Sequence, residues 1–211
     1  CFRTFLLNFQ CHTVMTLYTS MWVETVSGSI NWLYLAAGIA VTHQIFVWLC
    51  WRLELHHSLL TRLFGHYGFR FYATGFTILA ILRVASVLFL AVINHDSFDM
   101  PTEILQGFAI VALVPATYLF YSVKRYFGFR RALGLDHFDK SYRLLPKVRK
   151  GIFRITPNGM YTFGFLLIWI PGLWFASTAA LFAAMFNHLY IWVHYFATER
   201  PDMQRIYEGR N

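Results

Sequence analysis

Apolar residues in this chain run in long unbroken stretches, without the one-sided spacing of a soluble amphipathic helix. Three of them extend from about Asn31 to Trp51, Phe71 to Ile93 and Ile104 to Tyr121. A fourth starts near Met160 and continues to about Ala197. That run is nearly twice the roughly 20 residues one membrane span needs, so it predicts a helical hairpin. Pro171-Gly172 and Ser177-Thr178 are both candidate turns, and the second gives the more equal arms. Pro171 alone suits a kink. The pattern predicts an all-α integral membrane bundle of about five transmembrane helices. It reads as one domain over residues 1–211: an N-terminal amphipathic or packed helix (1–30), three spans (31–121), a loop (122–159), the hairpin (160–197) and a tail (198–211). Phe2, Phe5, Leu6 and Phe9 fall at helical spacing in the first of these segments.

Composition supports the membrane reading. Of 211 residues, 57% are hydrophobic and 13% charged, where soluble domains carry about 25% charged residues. The net charge of +8 resides in one place. Ser122 to Gly159 holds ten basic residues opposed only by Asp136 and Asp139. Beside membrane spans, such a run predicts a cytoplasmic loop facing anionic lipid headgroups, not a nucleic-acid site. The first connection carries Arg52, Arg62 and Arg70, and the tail carries Arg200, Arg205 and Arg210. The second connection, Asn94 to Glu103, has acids and no Lys or Arg. These loops agree on one orientation, with the basic loop and C-terminus cytoplasmic. Cys1, Cys11 and Cys50 show no metal spacing and read as reduced thiols. No metal site is expected, since no His-Glu-x-x-His motif or Cys pair occurs. The sequence does not indicate an oligomeric state.

Candidate chemistry gathers at the hairpin. His188, Trp192, Tyr195 and Glu199 share one face of a regular helix, at i, i+4, i+7 and i+11. Lipid disfavours His and Glu, so this face is expected to look inward, the alternative being an interfacial aromatic belt with a satisfied His. On the preceding arm Tyr161 and Gly164 lie one turn apart, and Gly164 permits close approach. Asn158-Gly159 stands at a helix start, where unpaired N–H groups suit a carboxylate or phosphate, or an ordinary cap. Arg83 lies mid-span and needs a partner or a polar cavity.

The order Gly151, Asn158-x-Met160-Tyr161-x-x-Gly164, apolar hairpin, Glu199-x-Pro201 and Tyr207 resembles the C-terminal signature of membrane-embedded methyltransferases. These include the phospholipid (phosphatidylethanolamine) N-methyltransferases and the isoprenylcysteine carboxyl methyltransferases. The phospholipid branch typically shows Asn-Pro-Met-Tyr, which this chain matches except at Gly159. The family's paired terminal acids become Glu199-Arg200 here. The resemblance implies S-adenosylmethionine as cofactor, and a membrane lipid or lipid-like acceptor, an amino-phospholipid first. It implies Gly151, Asn158, Gly159, Met160, Tyr161, Gly164 and Glu199 at the cofactor, with Glu199, Tyr161 and His188 as catalytic candidates. Two alternatives stand beside it: a membrane reductase of related architecture using a nicotinamide cofactor, and a non-enzymatic accessory or binding subunit.

Overall fold

The computed structural model describes residues 2–207, with side chains from Ser29 onward. The expected apolar face of Phe2, Phe5, Leu6 and Phe9 therefore lies outside the described side chains, as do Cys1 and Cys11. The protein is helical, with no strand among the described residues. Helix α1 spans Phe2–His57. The sequence reading separates residues 1–30 from the first span, yet the backbone runs through as one helix. No proline interrupts this stretch, and a helix once nucleated extends cheaply. A short α2 (Leu59–Phe64) returns the chain to α3 (Gly68–Ile93). Then come α4 (Thr102–Ser122), a four-residue α5 (Phe129–Ala132) and a loop of 3-10 turns. The hairpin arms are α6 (Leu166–Trp174) and α7 (Thr178–His194), and α8 (Arg200–Tyr207) closes the described chain.

Ser29–His57, Leu59–Ile93 and Thr102–Phe127 are long and apolar enough to cross a membrane. The apolar helix Met160–Trp174 is shorter. The chain turns between Trp174 and Thr178, with the Ser177 hydroxyl capping α7 by accepting from the Ala180 N–H at 3.2 Å. Pro171 stays inside α6. The hairpin tip is tied to the α3–α4 connection. Asn94 Oδ1 accepts from the Ser177 hydroxyl at 3.1 Å and from the Ala179 N–H at 2.9 Å.

Small residues set the packing. Ala36, Ala91, Ala180, Ala183 and Ala184 are buried where α1, α3, α6 and α7 meet, with Val87, Leu90 and Ile168 filling between them. Close backbone approach of this kind replaces the hydrophobic drive that lipid removes. A second cluster joins α1, α2 and α3 through Val47, Trp51, Leu60 and Tyr72. A third seats Ile152 and Phe153 of the loop on Leu119 and Val123.

Three π-helical segments interrupt these helices: Val123–Phe127, Met160–Gly164 and Tyr195–Glu199. All three lie at the end of the bundle that carries the basic loop. Single π turns inside α-helices concentrate at functional sites, which directs attention to that end.

A buried acid–histidine cluster at the loop end

The centre of this end is His137, fully buried in the 3-10 turn Leu135–His137. Its Nδ1 lies 3.3 Å from Asp136 Oδ1 and its Nε2 lies 3.4 Å from Asp202 Oδ2. Asp202 belongs to α8 and is 1% exposed, so it needs a counter-charge. Arg52, at the end of α1, supplies it with Nη1 at 3.2 Å from Asp202 Oδ1. The same guanidinium donates through Nη2 to the Ala197 carbonyl at 3.0 Å. Tyr207 donates its hydroxyl to Asp136 Oδ2 at 3.0 Å. Trp51 stacks on the His137 ring with centroids 4.2 Å apart. Three distant stretches (α1, the basic loop and α8) thus meet on one imidazole.

Electrostatics follow from that geometry. Burial works against charge on His137, but the Asp136 and Asp202 carboxylates on its two sides outweigh it and raise its pKa. Burial likewise opposes charge on Asp136, yet His137, Tyr207 and Arg131 hold its pKa below the ordinary value. Glu199 closes the π turn beyond α7. Burial, then the Asp136 carboxylate, push its pKa up to about 7, with Asp202 adding to the effect and His137 opposing it. Glu199 therefore exchanges a proton near neutral pH.

The cluster is under-satisfied. Both carboxylate oxygens of Asp202, Asp136 Oδ1 and His137 Nε2 are buried without an aligned hydrogen bond. Their contacts at 3.2–3.4 Å are charge pairings with loose geometry. His194 Nδ1, beside Trp51, lacks an aligned partner too. Buried polar atoms are nearly always paired. A concentration of unpaired ones marks a place suited to a polar ligand or water.

The sequence-derived candidates separate into four groups. Gly151, Gly159, Met160 and Gly164 face α4. A Cβ on Gly151 would meet Ser122 Oγ at 2.6 Å, and one on Gly164 would meet Leu119 Cδ2 at 2.8 Å. Met160 packs against the cluster of Leu119, Ile152 and Phe153. The Asn158 carbonyl accepts from the N–H groups of Tyr161 and Thr162, each at 3.0 Å, so those donors cap the helix start. Tyr161 forms an aromatic box with Trp192 and Tyr195, at centroid distances of 6.1 and 5.8 Å. Glu199, four residues beyond Tyr195, joins the acid–histidine cluster. His188 is held apart in the hairpin, its Nδ1 accepting from Trp169 Nε1–H at 3.1 Å. Eleven residues separate it from Glu199, about 16 Å along a helix.

Sequence reasoning missed Asp136, His137, Arg52 and Asp202. One signal was present. Asp202 follows Glu199 at i+3, so a second carboxylate stands near the first although Arg200 occupies the adjacent position. Arg200 itself points outward and is exposed.

Gly134 gives this arrangement a direct test. Its φ is +82°, and a Cβ there would meet the Trp51 ring at 2.5 Å. Gly134→Ala is expected to cost about 2–4 kcal/mol from combined strain and overlap. The readout is the thermal midpoint in detergent, and an unchanged midpoint would show that Trp51 does not lie against this turn.

The family model for phospholipid methyltransferases matches residues 104–210. That range contains Asp136, His137, Tyr161, Glu199, Asp202 and Tyr207, and leaves Trp51 and Arg52 outside it. No curated protein and no solved structure matches the chain.

Proposed function

Because the chain belongs to the phospholipid methyltransferase family, we propose that it transfers a methyl group from S-adenosylmethionine to a membrane lipid, an amino-phospholipid first. The observation that carries this reading is the convergence of Glu199, Asp202 and Asp136 around His137, with carboxylate oxygens lacking aligned donors. The residues present fit the cofactor. Acceptor-only carboxylates suit its ribose hydroxyls and its ammonium group. The rings of Tyr161, Trp192 and Tyr195 offer apolar faces beside them. When bound, S-adenosylmethionine supplies an electrophilic methyl group on a sulfonium.

The chain's own part is alignment, exclusion of water and management of one proton. An ammonium acceptor has no lone pair until it loses that proton. We assign that role to Glu199, whose carboxylate takes up protons near pH 7. Glu199 then gives the proton up to water when the product leaves, while the buried Asp136, His137 and Asp202 groups set its affinity for that proton. Tyr161 lines the approach from the hairpin side. His188, bonded to Trp169 and remote from Glu199, is assigned to packing. The positive-inside distribution of Lys and Arg puts the basic loop, the C-terminus and this cluster on the cytoplasmic side.

Glu199→Ala is expected to weaken S-adenosylhomocysteine binding tenfold or more by calorimetry, about 1.4 kcal/mol. The wild-type rate of methyl transfer is expected to rise with pH through about 7, following ionisation of Glu199. Glu199→Gln is expected to flatten that limb. No binding of S-adenosylhomocysteine by the wild-type protein at millimolar ligand would sink the proposal.

A further inference from the structure

A groove of about 490 Å³ opens where α3 meets α5, away from the acid–histidine cluster in its lining. Phe69, Arg70, Ala73, Thr74, Thr77 and Ile78 of α3 line it together with Arg130 of α5. On α3 the positions 70, 74, 77, 78 and 81 follow one helical face. Arg70, Thr74, Thr77, Ile78 and Ile81 are all exposed, so this face meets the bilayer. Two hydroxyls and a guanidinium on a membrane-facing stripe are out of place against hydrocarbon alone.

We propose that this groove binds one anionic phospholipid as a resident, with its phosphate between Arg70 and Arg130. The spacing follows the anatomy of such a lipid. At about 1.5 Å per residue, Thr74 lies about 6 Å deeper than Arg70, at the level of ester carbonyls below a phosphate. Ile78 and Ile81 lie about 12 and 16 Å deeper, where acyl chain runs. Thr77 donates its hydroxyl to the Ala73 carbonyl at 2.8 Å, which leaves Thr74 as the donor toward an ester.

Charge argues for an anionic occupant. No carboxylate lines the groove. Arg70 rests over the Tyr67 ring at 5.4 Å and Arg130 over the Phe69 ring at 5.5 Å. Neither forms an ion pair among the described residues. The acid nearest Arg130 in charge is Asp139, which forms no ion pair with it; its Oδ1 accepts from the Ser141 hydroxyl and N–H at 2.7 and 2.9 Å. Paired arginines bind phosphate through several charge-assisted hydrogen bonds, and a zwitterionic headgroup would bring its own cation between them.

The site has a structural consequence. Arg130 belongs to the basic loop and Arg70 to a span, so one phosphate would tie the loop to the bundle. Phe69, under Arg130, packs edge-on against Phe138 at 5.4 Å, next to His137. A bound lipid would therefore steady the turn that carries the cluster. This proposal stands whether or not the chain methylates lipids.

The test uses the full chain in phosphatidylcholine nanodiscs, with phosphatidylglycerol added. One phosphatidylglycerol per chain should survive in native mass spectra, and the thermal midpoint should rise by about 5 °C. Arg70→Gln/Arg130→Gln should lose both effects, while Lys147→Gln/Lys150→Gln, which removes the same charge elsewhere in the loop, should keep them. Three results would overturn the proposal: an equal response in both double variants, an equal response to phosphatidylcholine alone, or the same shift from inorganic phosphate without lipid. Retention of an amino-phospholipid in preference to phosphatidylglycerol would also overturn it and make the groove an acceptor path. Calorimetry with S-adenosylhomocysteine on Arg70→Gln/Arg130→Gln keeps this question apart from the methyltransferase reading.

Discussion

Asp202→Ala is expected to destabilise the protein by about 3–5 kcal/mol, the range for removing one partner of a buried charge pair. The loss comes from what remains. Arg52 is about one-third exposed and regains some hydration, but His137 is fully enclosed and keeps its charge beside Asp136 alone. Two of the three elements that meet at the cluster lose their link, because Arg52 and His137 belong to α1 and the loop while Asp202 belongs to α8. The pH dependence distinguishes this from simple loss of packing. His137 has a folded pKa above its ordinary 6.5. Its contribution is therefore complete below about pH 6.5 and disappears as pH rises through the folded value. Asp136 behaves oppositely, its contribution lost as pH falls through a folded value below 3.8. Thermal midpoints taken from about pH 6 to about pH 9 should fall on the alkaline side in the wild type and change less in Asp202→Ala. Equal slopes in the two proteins would mean that His137 is not charged through Asp202.

The spans and the hairpin were legible in the sequence because lipid imposes a length and a composition on each helix. The turn at Ser177 was legible because it divides the long apolar run into comparable arms, and a hydroxyl there caps the second arm. Glu199 was legible as a rare acid beside a span. Its neighbours were not. Trp51 and Arg52 lie some 85 residues before Asp136 and His137 and about 150 before Asp202, and only the fold brings them together. The π turn Tyr195–Glu199 adds a further obstacle. A π turn holds more residues than an α turn, so a face counted at 3.6 residues per turn drifts once the chain enters it. His188 and Glu199, placed on one face by that count, serve different surroundings in the structure. Gly164 reads from the sequence as permitting close approach of a ligand or a neighbouring helix, and the structure shows it against Leu119 of α4, with Gly151 against Ser122 of the same helix.

Arg83 carries the second large effect. A cation at this depth demands a partner, and a search by charge finds none, because the partner is neutral. Arg83 donates Nε–H to Asn187 Oδ1, and Nη2 reaches the Asn187 carbonyl at 3.4 Å. Its guanidinium also lies 5.0 Å from the centre of the Phe165 ring. Asn187 is fully buried on α7 and donates its amide to the Ala183 carbonyl at 2.7 Å. One amide therefore satisfies a cation from α3 and a carbonyl of its own helix. Asn187→Leu removes the side-chain acceptor and leaves the guanidinium enclosed, at an expected loss of about 3–5 kcal/mol and a sharp drop in monodisperse protein after extraction. Arg83→Met in the same chain removes the charge that needed the acceptor. The double variant Arg83→Met/Asn187→Leu is thus expected to recover most of that loss, since apolar replacement of both buried partners is often neutral. The double-mutant cycle should return a coupling of about 2–3 kcal/mol. Additive effects would show that Arg83 finds its acceptor elsewhere. Activity of the recovered double variant then separates the two roles open to a buried arginine: an unchanged rate means that Arg83 and Asn187 hold α3 to α7, and a lost rate means that the bundle keeps this charge for its ligand.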